Sequence, residues 1–317
     1  MKCVITGACG FIGINLAEQL LIEGHEVVGI DNFVVGTIDE LMSTVGHFKK
    51  FKFQYFDLAK RYVNEDIFEG ADVIYNMAGM SGVRESVLDP DIWFYNHVMA
   101  TFNALEIARK YNIKTFVTAS SSACIGNVPP PIHEEIPMKP LSPYGAGQGF
   151  KELYVHAYHN AYDMNTVALR FSNVYGPHST IKISLVAKFM RRILAQKQIN
   201  IYGDGEQTRD FIYVKDLTRA VQMAGESGIG GEVFQVCTGV ETSINTATKI
   251  VCREMERHGY IIPPIVHTNP ALGDIKTNFA DNGKIRSMLD WKPEMELEEG
   301  VKITANWFIN SAPLKRY

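Results

Sequence analysis

The sequence predicts an α/β protein: a doubly wound parallel sheet with helices on both faces, joined to a smaller mixed α/β lobe that specifies a substrate. Three observations carry this. Short apolar runs alternate with helix-period stretches through the first half of the chain. A glycine-rich turn stands directly after the first run. The alternation weakens after about Phe171, so a first domain is expected over 1–171 and a second over 172–317, with segments of the second returning to the first. At 317 residues the chain can bury a sizeable core as one large unit or two interlocked lobes.

Lys2–Thr6 reads as a short buried strand, followed by the glycine turn and an amphipathic helix through about Glu23. Glu26–Ile30 is a second strand that ends at Asp31. Apolar runs follow at Phe51–Phe56, Val73–Tyr75, Thr115–Ala119 and Thr166–Leu169, with helix periodicity clearest over Ile92–Tyr111 and Tyr144–Tyr162. Strands this uniformly apolar suit a parallel sheet covered on both faces. Beyond Phe171 the pattern gives a helix near Leu185–Ala195, a compact loop at Tyr202–Arg209 and a helix near Asn245–His258. The connector Ile262-Pro263-Pro264-Ile265 then leads to a last helix near Leu297–Asn310.

Composition excludes several classes. A net charge of −4, with no basic run longer than Arg191-Arg192, argues against nucleic acid as a partner. No apolar run approaches the ~20 residues of a membrane span. Cys3, Cys9, Cys124, Cys237 and Cys252 are odd in number and scattered, which suits a reducing, cytoplasmic compartment rather than a disulfide framework. His156 and His159 share a helix face but have no third ligand at a useful spacing, so no metal site is expected.

Gly7-Ala8-Cys9-Gly10-Phe11-Ile12-Gly13 lies between strand and helix, where a phosphate-binding turn belongs. Gly7 permits the tight turn, Gly10 lets a pyrophosphate approach, and Gly13 lets helix pack on strand. The helix N-terminus then offers its N–H groups to the phosphates. Asp31, eighteen residues after Gly13, is placed to accept both ribose hydroxyls, and no Arg follows it to greet a 2′-phosphate; this selects NAD over NADP. Asp57-Leu58 follows the third strand, where it would cap an adenine ring.

These residues, with Asn76-Met77-Ala78-Gly79, Ser120-Ser121-Ser122-Ala123, Ser142-Pro143-Tyr144-Gly145 and Arg170-Phe171-Ser172-Asn173-Val174-Tyr175-Gly176-Pro177, resemble an extended short-chain dehydrogenase/reductase of the nucleotide-sugar epimerase/dehydratase group. The segment Gly203–Asp216, with Arg209 inside it, continues the match, as do Gly273-Asp274, Ala280-Asp281 and Trp291-Lys292-Pro293. The resemblance implies a Rossmann-type first lobe, a tightly held NAD, a nucleoside-diphosphate sugar in the cleft, and commonly a homodimer. It implies cofactor contacts at Gly7, Gly10, Phe11, Ile12, Gly13, Asp31, Asn32, Asp57, Leu58, Ala78, Asn96, Tyr144, Gln148 and Phe171. Substrate contacts are implied at Arg84, Ser122, Asn173, Tyr202, Arg209 and Asp274.

The family's catalytic tyrosine maps onto Tyr144, and its reacting-hydroxyl serine onto Ser122, beside Ser121. A phenol with pKa near 10 normally becomes a base here because a Lys one helical turn on lowers its pKa. This chain carries Gln148 at that place, a hydrogen-bond donor without charge. Lys151, seven residues on, is the less favoured substitute, since it would have to reach back about 10 Å along the helix. Gly145, Gly147 and Gly149 around it suggest close packing. Ala271 stands where the family has an Arg near the nucleotide, a second departure. Ser122-Ala123-Cys124 lacks the acidic pair that a 4,6-dehydratase uses, which favours 4-epimerisation. Oxidation at C4, a dehydratase step, or a weakly catalytic binding protein remain the alternatives.

Overall fold

The turn between the first strand and first helix shows why the chain begins as it does. In the computed structural model, which describes residues 1–60, 66–180, 182, 184–270 and 276–311, β1 (Lys2–Thr6) passes into α1 (Phe11–Ile22) through Gly7, whose φ is +67°. A Cβ on Gly13 would lie 2.2 Å from the Gly7 carbonyl oxygen, so helix and turn touch through backbone. We expect Gly13→Ala to destabilise the fold by about 1–3 kcal/mol, the usual cost of overpacking. Urea denaturation with an unchanged midpoint would show that the turn tolerates the methyl group.

β2 (Glu26–Asp31) and β3 (Phe51–Tyr55), separated by α2 (Ile38–Val45), extend the sheet on one side of β1. β4 (Val73–Asn76), β5 (Thr115–Ser121) and β6 (Asn165–Phe171) extend it on the other. Between them come α3 (Val83–Leu88), α4 (Pro90–Trp93), α5 (Ala100–Lys110) and α6 (Pro143–Tyr162). All pairings in this sheet are parallel. Both faces are buried: Val4 belongs to one apolar cluster, with Ile74, Phe116 and Leu105, while neighbouring Ile5 belongs to the other, with Leu16, Val117 and Phe234. Strand order reverses between β1 and β4, and the loops diverge there to leave a crevice at the carboxyl ends of the strands.

The later part holds β7 (Asn173–Tyr175), α7 (Leu185–Leu194), β8 (Ile199–Tyr202), β9 (Thr208–Arg209), β10 (Phe211–Tyr213), α8 (Val214–Glu226) and β11 (Glu232–Val236). After these come β12 (Thr242–Ser243), α9 (Ile244–Arg257), β13 (Ile265–Thr268), β14 (Thr277–Asn278), α10 (Gly283–Leu289) and α11 (Leu297–Asn310). β11 crosses back to pair with β6 as the seventh strand of the main sheet, with Phe234 opposite Leu169. α8 lies on α1, tied by Lys215–Glu18 at 2.6 Å and by Thr218 Oγ1 donating to Gln19 Oε1 at 2.6 Å. Residues after 172 thus complete the first sheet, and the smaller sheets β7·β10, β8·β13 and β12·β9·β14 form the rest. The Gly203–Asp216 and Trp291-Lys-Pro segments meet at Asp216. Its carboxylate accepts from the Glu294 and Met295 N–H groups, and its carbonyl accepts from Trp291 Nε1.

One helix differs from the sequence expectation. Ile92–Tyr111 is not continuous: α4, capped by Asp89, passes into a π-helical turn at Phe94–Met99 before α5 begins. Such a wide turn rotates side chains out of the 3.6-residue period. Here it turns His97 into the protein.

Candidate active site

The crevice is a cleft of about 1370 Å³, lined by residues of both halves of the chain. That volume exceeds a typical single-ligand pocket and suits a dinucleotide with a second ligand beside it. Gly7, Gly10, Phe11, Ile12 and Gly13 line one end with Asp31, Asn32, Asp57, Leu58 and Ala78. A Cβ on Gly10 would meet only the Gly7 carbonyl, at 3.2 Å, so the glycine leaves an open approach to the α1 N-terminus. Asp31 is buried, and its carboxylate accepts from Cys9 N at 2.9 Å and Phe33 N at 2.7 Å. Burial holds its carboxyl above the usual Asp range, against those backbone hydrogen bonds. Asn32 Nδ2 donates to Asp57 Oδ1, which also caps Ala59 N. This combination of an open helix N-terminus and an acidic strand end fits the pyrophosphate and ribose of a dinucleotide.

Asn76 organises the floor. Its side chain accepts from Thr6 Oγ1 at 2.7 Å and donates to Thr118 Oγ1 at 3.0 Å and Thr101 Oγ1 at 3.2 Å, tying β1, β4, β5 and α5 together. At the other end α6 starts with Ser142 as N-cap, accepting from Gly145 N at 3.1 Å, and Pro143 in the first turn. Tyr144 N donates to Ser86 Oγ on α3. The helix therefore delivers Tyr144 into the cleft, with its ring edge-on to Trp93 and His97.

The Tyr144 hydroxyl is in hydrogen-bonding reach of Ser121 and Gln148. Burial pushes the phenol above its usual pKa, and those two hydrogen bonds pull it back. The sequence gives the tyrosine-facing role to Ser122, beside Ser121, and both serines line the cleft with Tyr144. Ser121 ends β5. Ser122 opens a 3₁₀ turn, Ser122–Cys124, that carries its hydroxyl onto Gln235 Oε1 of β11 at 2.9 Å. Gln148, one turn after Tyr144 on α6, also lines the cleft, and its Oε1 is buried without a partner among the described residues.

Phe171, Asn173, Tyr202 and Arg209 line the far wall, with Arg84 exposed on α3 opposite. Arg209 donates to the Thr208 carbonyl at 2.6 Å, and Arg84 makes no ion pair among the described residues. Asn96 reaches the cleft edge, but its side-chain amide is spent on Ile92 O at 2.8 Å. Asp274 and Ala271 lie outside the described residues. Sequence reasoning missed His97, which is 1% exposed, accepts from Met80 N at 3.1 Å through Nε2 and stacks on Trp93. It also missed Lys182, whose ammonium lies 5.5 Å from the Phe11 ring. The less favoured Lys151 lines the cleft, its Nζ donating to Ala119 O at 3.1 Å.

The family model described as GDP-mannose 4,6 dehydratase matches residues 4–304. The chain belongs to the nucleotide-sugar epimerase/dehydratase family of extended short-chain dehydrogenase/reductases. It is 34% identical over 317 residues to UDP-glucose 4-epimerase of Mycolicibacterium smegmatis, covering 98% of this chain and all of the relative. Its fold superposes with TM-score 0.89 on UDP-N-acetylglucosamine 4-epimerase of Methanobrevibacter ruminantium, solved with UDP-N-acetylmuramic acid (31% identity; 97% and 98% of the two chains). It also superposes with TM-score 0.88 on UDP-glucuronic acid 4-epimerase of Bacillus cereus, solved with UDP-glucuronic acid and NAD (28% identity; 98% and 99%). Within this family's fold the glycine turn, Asp31 and the Ser121–Tyr144 pair occupy one continuous cleft.

Proposed function

We propose that the protein is an NAD-dependent nucleotide-sugar 4-epimerase acting on a UDP-linked hexose, N-acetylhexosamine or hexuronic acid. The observation that carries this reading is Tyr144 lining the cleft together with Ser121, Ser122 and Gln148, with no carboxylate beside it among the described residues. The lining carboxylates are elsewhere: Asp31 and Asp57 at the glycine turn, Glu85 at the exposed rim on α3. The Cys124 thiol, pushed up to about 12 by burial, is no acid for expelling a hydroxyl.

In this reading Gly7, Gly10 and Gly13 with Asp31 hold NAD, which when bound supplies the hydride acceptor and donor for C4. Tyr144 takes the proton of the C4 hydroxyl and Ser121 orients that hydroxyl. Asn173 and Arg209 hold the diphosphate, a role suited to the guanidinium fork, while the sugar turns to present its other face. Ser122 is then a strand-end support through Gln235. The π turn and α6 expose Phe94, Tyr95, Leu153 and Tyr162; we assign these side chains to contact with a second copy of the chain, a homodimer that sedimentation would reveal. Five free cysteines, all buried, suit the cytoplasm, and no helix among the described residues is long and apolar enough to cross a membrane.

The test is direct. Purified protein is incubated with UDP-glucose, UDP-N-acetylglucosamine and UDP-glucuronic acid, and each anomeric proton is followed by NMR. A new anomeric signal from the 4-epimer is expected with one of them. Release of a 4-keto-6-deoxy sugar, or no conversion of any of the three, overturns the reading.

A further inference from the structure

Tyr144, Gln148 and Lys151 stand at positions i, i+4 and i+7 of α6 and share one face of the helix. Side chains on a helix lean toward its N-terminus, and the Lys151 ammonium lies beside Gly79 with the His97 ring, which is itself edge-on to Tyr144. Lys151 is 1% exposed, and among the described residues its ammonium rests on a single partner, the Ala119 carbonyl near the end of β5. An ammonium has three donors. Lys151 makes no ion pair among the described residues, and the neighbouring Glu152 carboxylate is paired with Arg170. Two more buried polar atoms of the same cleft lack partners, Gln148 Oε1 and His97 Nδ1.

The surrounding glycines make the room. A Cβ at Gly79 would lie 2.9 Å from His97 Cε1 and 3.6 Å from Lys151 Nζ, and one at Gly147 would lie 3.2 Å from His97 Cβ. The π turn, two glycines, a neutral helix position 148 and a lysine one turn later thus form a single repacked unit. A buried, unpaired ammonium is costly and adds nothing to the fold by itself. Such a group belongs to a ligand.

We propose that Lys151 is the active-site cation of this chain, supplying from one turn further along α6 the positive charge that Gln148 lacks, toward Tyr144 and the bound dinucleotide. Burial lowers its pKa to about 7, and it in turn helps hold His97 well below the usual histidine range, after burial itself. The other titratable groups around it are Tyr144 on α6, His97 on the π turn, Cys124 after β5, and the Glu152–Arg170 pair.

The inference rests on the epimerase reading for the role of Tyr144, but its test does not need turnover. NAD binding to the cofactor-stripped protein is measured by calorimetry at pH 8 in buffers of different ionisation enthalpy. Lys151, largely neutral when free, is charged in the complex, so uptake approaching one proton per NAD is expected, with affinity falling as pH rises from 7 to 9. Lys151→Met abolishes that uptake and weakens NAD about tenfold, the scale of a lost charge-assisted contact, while its Tm is unchanged or higher. Turnover falls about a hundredfold with its acid limb moved to higher pH, and adding Gln148→Lys restores at least a tenth of it. No proton uptake by the wild-type protein, or a Lys151→Met protein with wild-type NAD affinity, overturns the proposal. Should Lys151→Met not fold, Lys151→Gln and the wild-type proton count decide. A wild-type protein that turns over no UDP-sugar but takes up the proton sinks the epimerase reading and leaves Lys151 in place.

Discussion

Tyr144→Phe is expected to abolish epimerisation, lowering turnover by at least about a hundredfold, the low end of what a positioned general base contributes. The ring would stay where it is, since its edge-on contacts with Trp93 and His97 involve carbon faces and edges, not the hydroxyl. What disappears is the one oxygen in reach of both Ser121 and Gln148. NAD and sugar-nucleotide affinities should therefore remain within a few-fold of wild type while turnover collapses. The two serines give a sharper contrast. Ser121→Ala removes a hydrogen bond that stabilises the phenolate and should cost turnover with little change in stability. Ser122→Ala leaves Gln235 Oε1 without a donor and should cost stability first, about 1 kcal/mol, the net worth of one such bond. Steady-state kinetics beside thermal melts of both variants checks the split. Equal turnover in Tyr144→Phe and wild type would dismiss the phenol as the base, whatever the serines do.

The contrast also shows where sequence reasoning reaches its limit. The glycine turn, Asp31 and the helix beginning at Ser142-Pro143 could be read directly, because local geometry demands those residue types at those places: a positive φ at Gly7, a backbone contact at Gly13, an N-cap before a proline. The alternation of short apolar runs also gave the parallel sheet. A return of later segments to the first sheet was expected, but which strand returns was not visible, since the pairing of β11 with β6 joins residues more than sixty positions apart and leaves no periodic trace. The π turn was hidden for a related reason: one extra residue in a helical turn leaves the composition of Ile92–Tyr111 unchanged but redirects His97. That Ser122 donates to Gln235 depended on where β5 stops and the 3₁₀ turn starts, a one-residue boundary that pattern alone does not fix. Lys151 carried a signal, its place on the Tyr144 face, but the two-turn gap hid how far a lysine stem leans back.

Glu152→Ala is expected to destabilise the fold by about 3–5 kcal/mol, as is Arg170→Ala, because each leaves a buried charge without its partner. The pair lies beneath the catalytic wall, with side-chain exposures of 1% and 2%. Glu152 Oε2 accepts from Arg170 Nη2 at 2.7 Å, and Oε1 accepts from Arg170 Nε at 2.9 Å and Ser120 Oγ at 2.5 Å. The Cys124 thiol adds a fourth donor at 3.4 Å. This network joins α6, β5, β6 and the turn after β5, the same elements that present Tyr144 and Ser121. The ion pair itself is a poor stabiliser compared with apolar side chains of the same size, since both ions are desolvated. Replacing both at once, Glu152→Met with Arg170→Met, should therefore recover most of the stability lost by either single change. It should not recover turnover, because Ser120 and the end of β5 lose the carboxylate that positions them. Urea melts of the two single variants and the double, set against their epimerase rates, measure this directly. Single variants that cost less than about 1 kcal/mol and add independently would mean that the buried pair neither couples α6 to β6 nor holds the reacting wall in place.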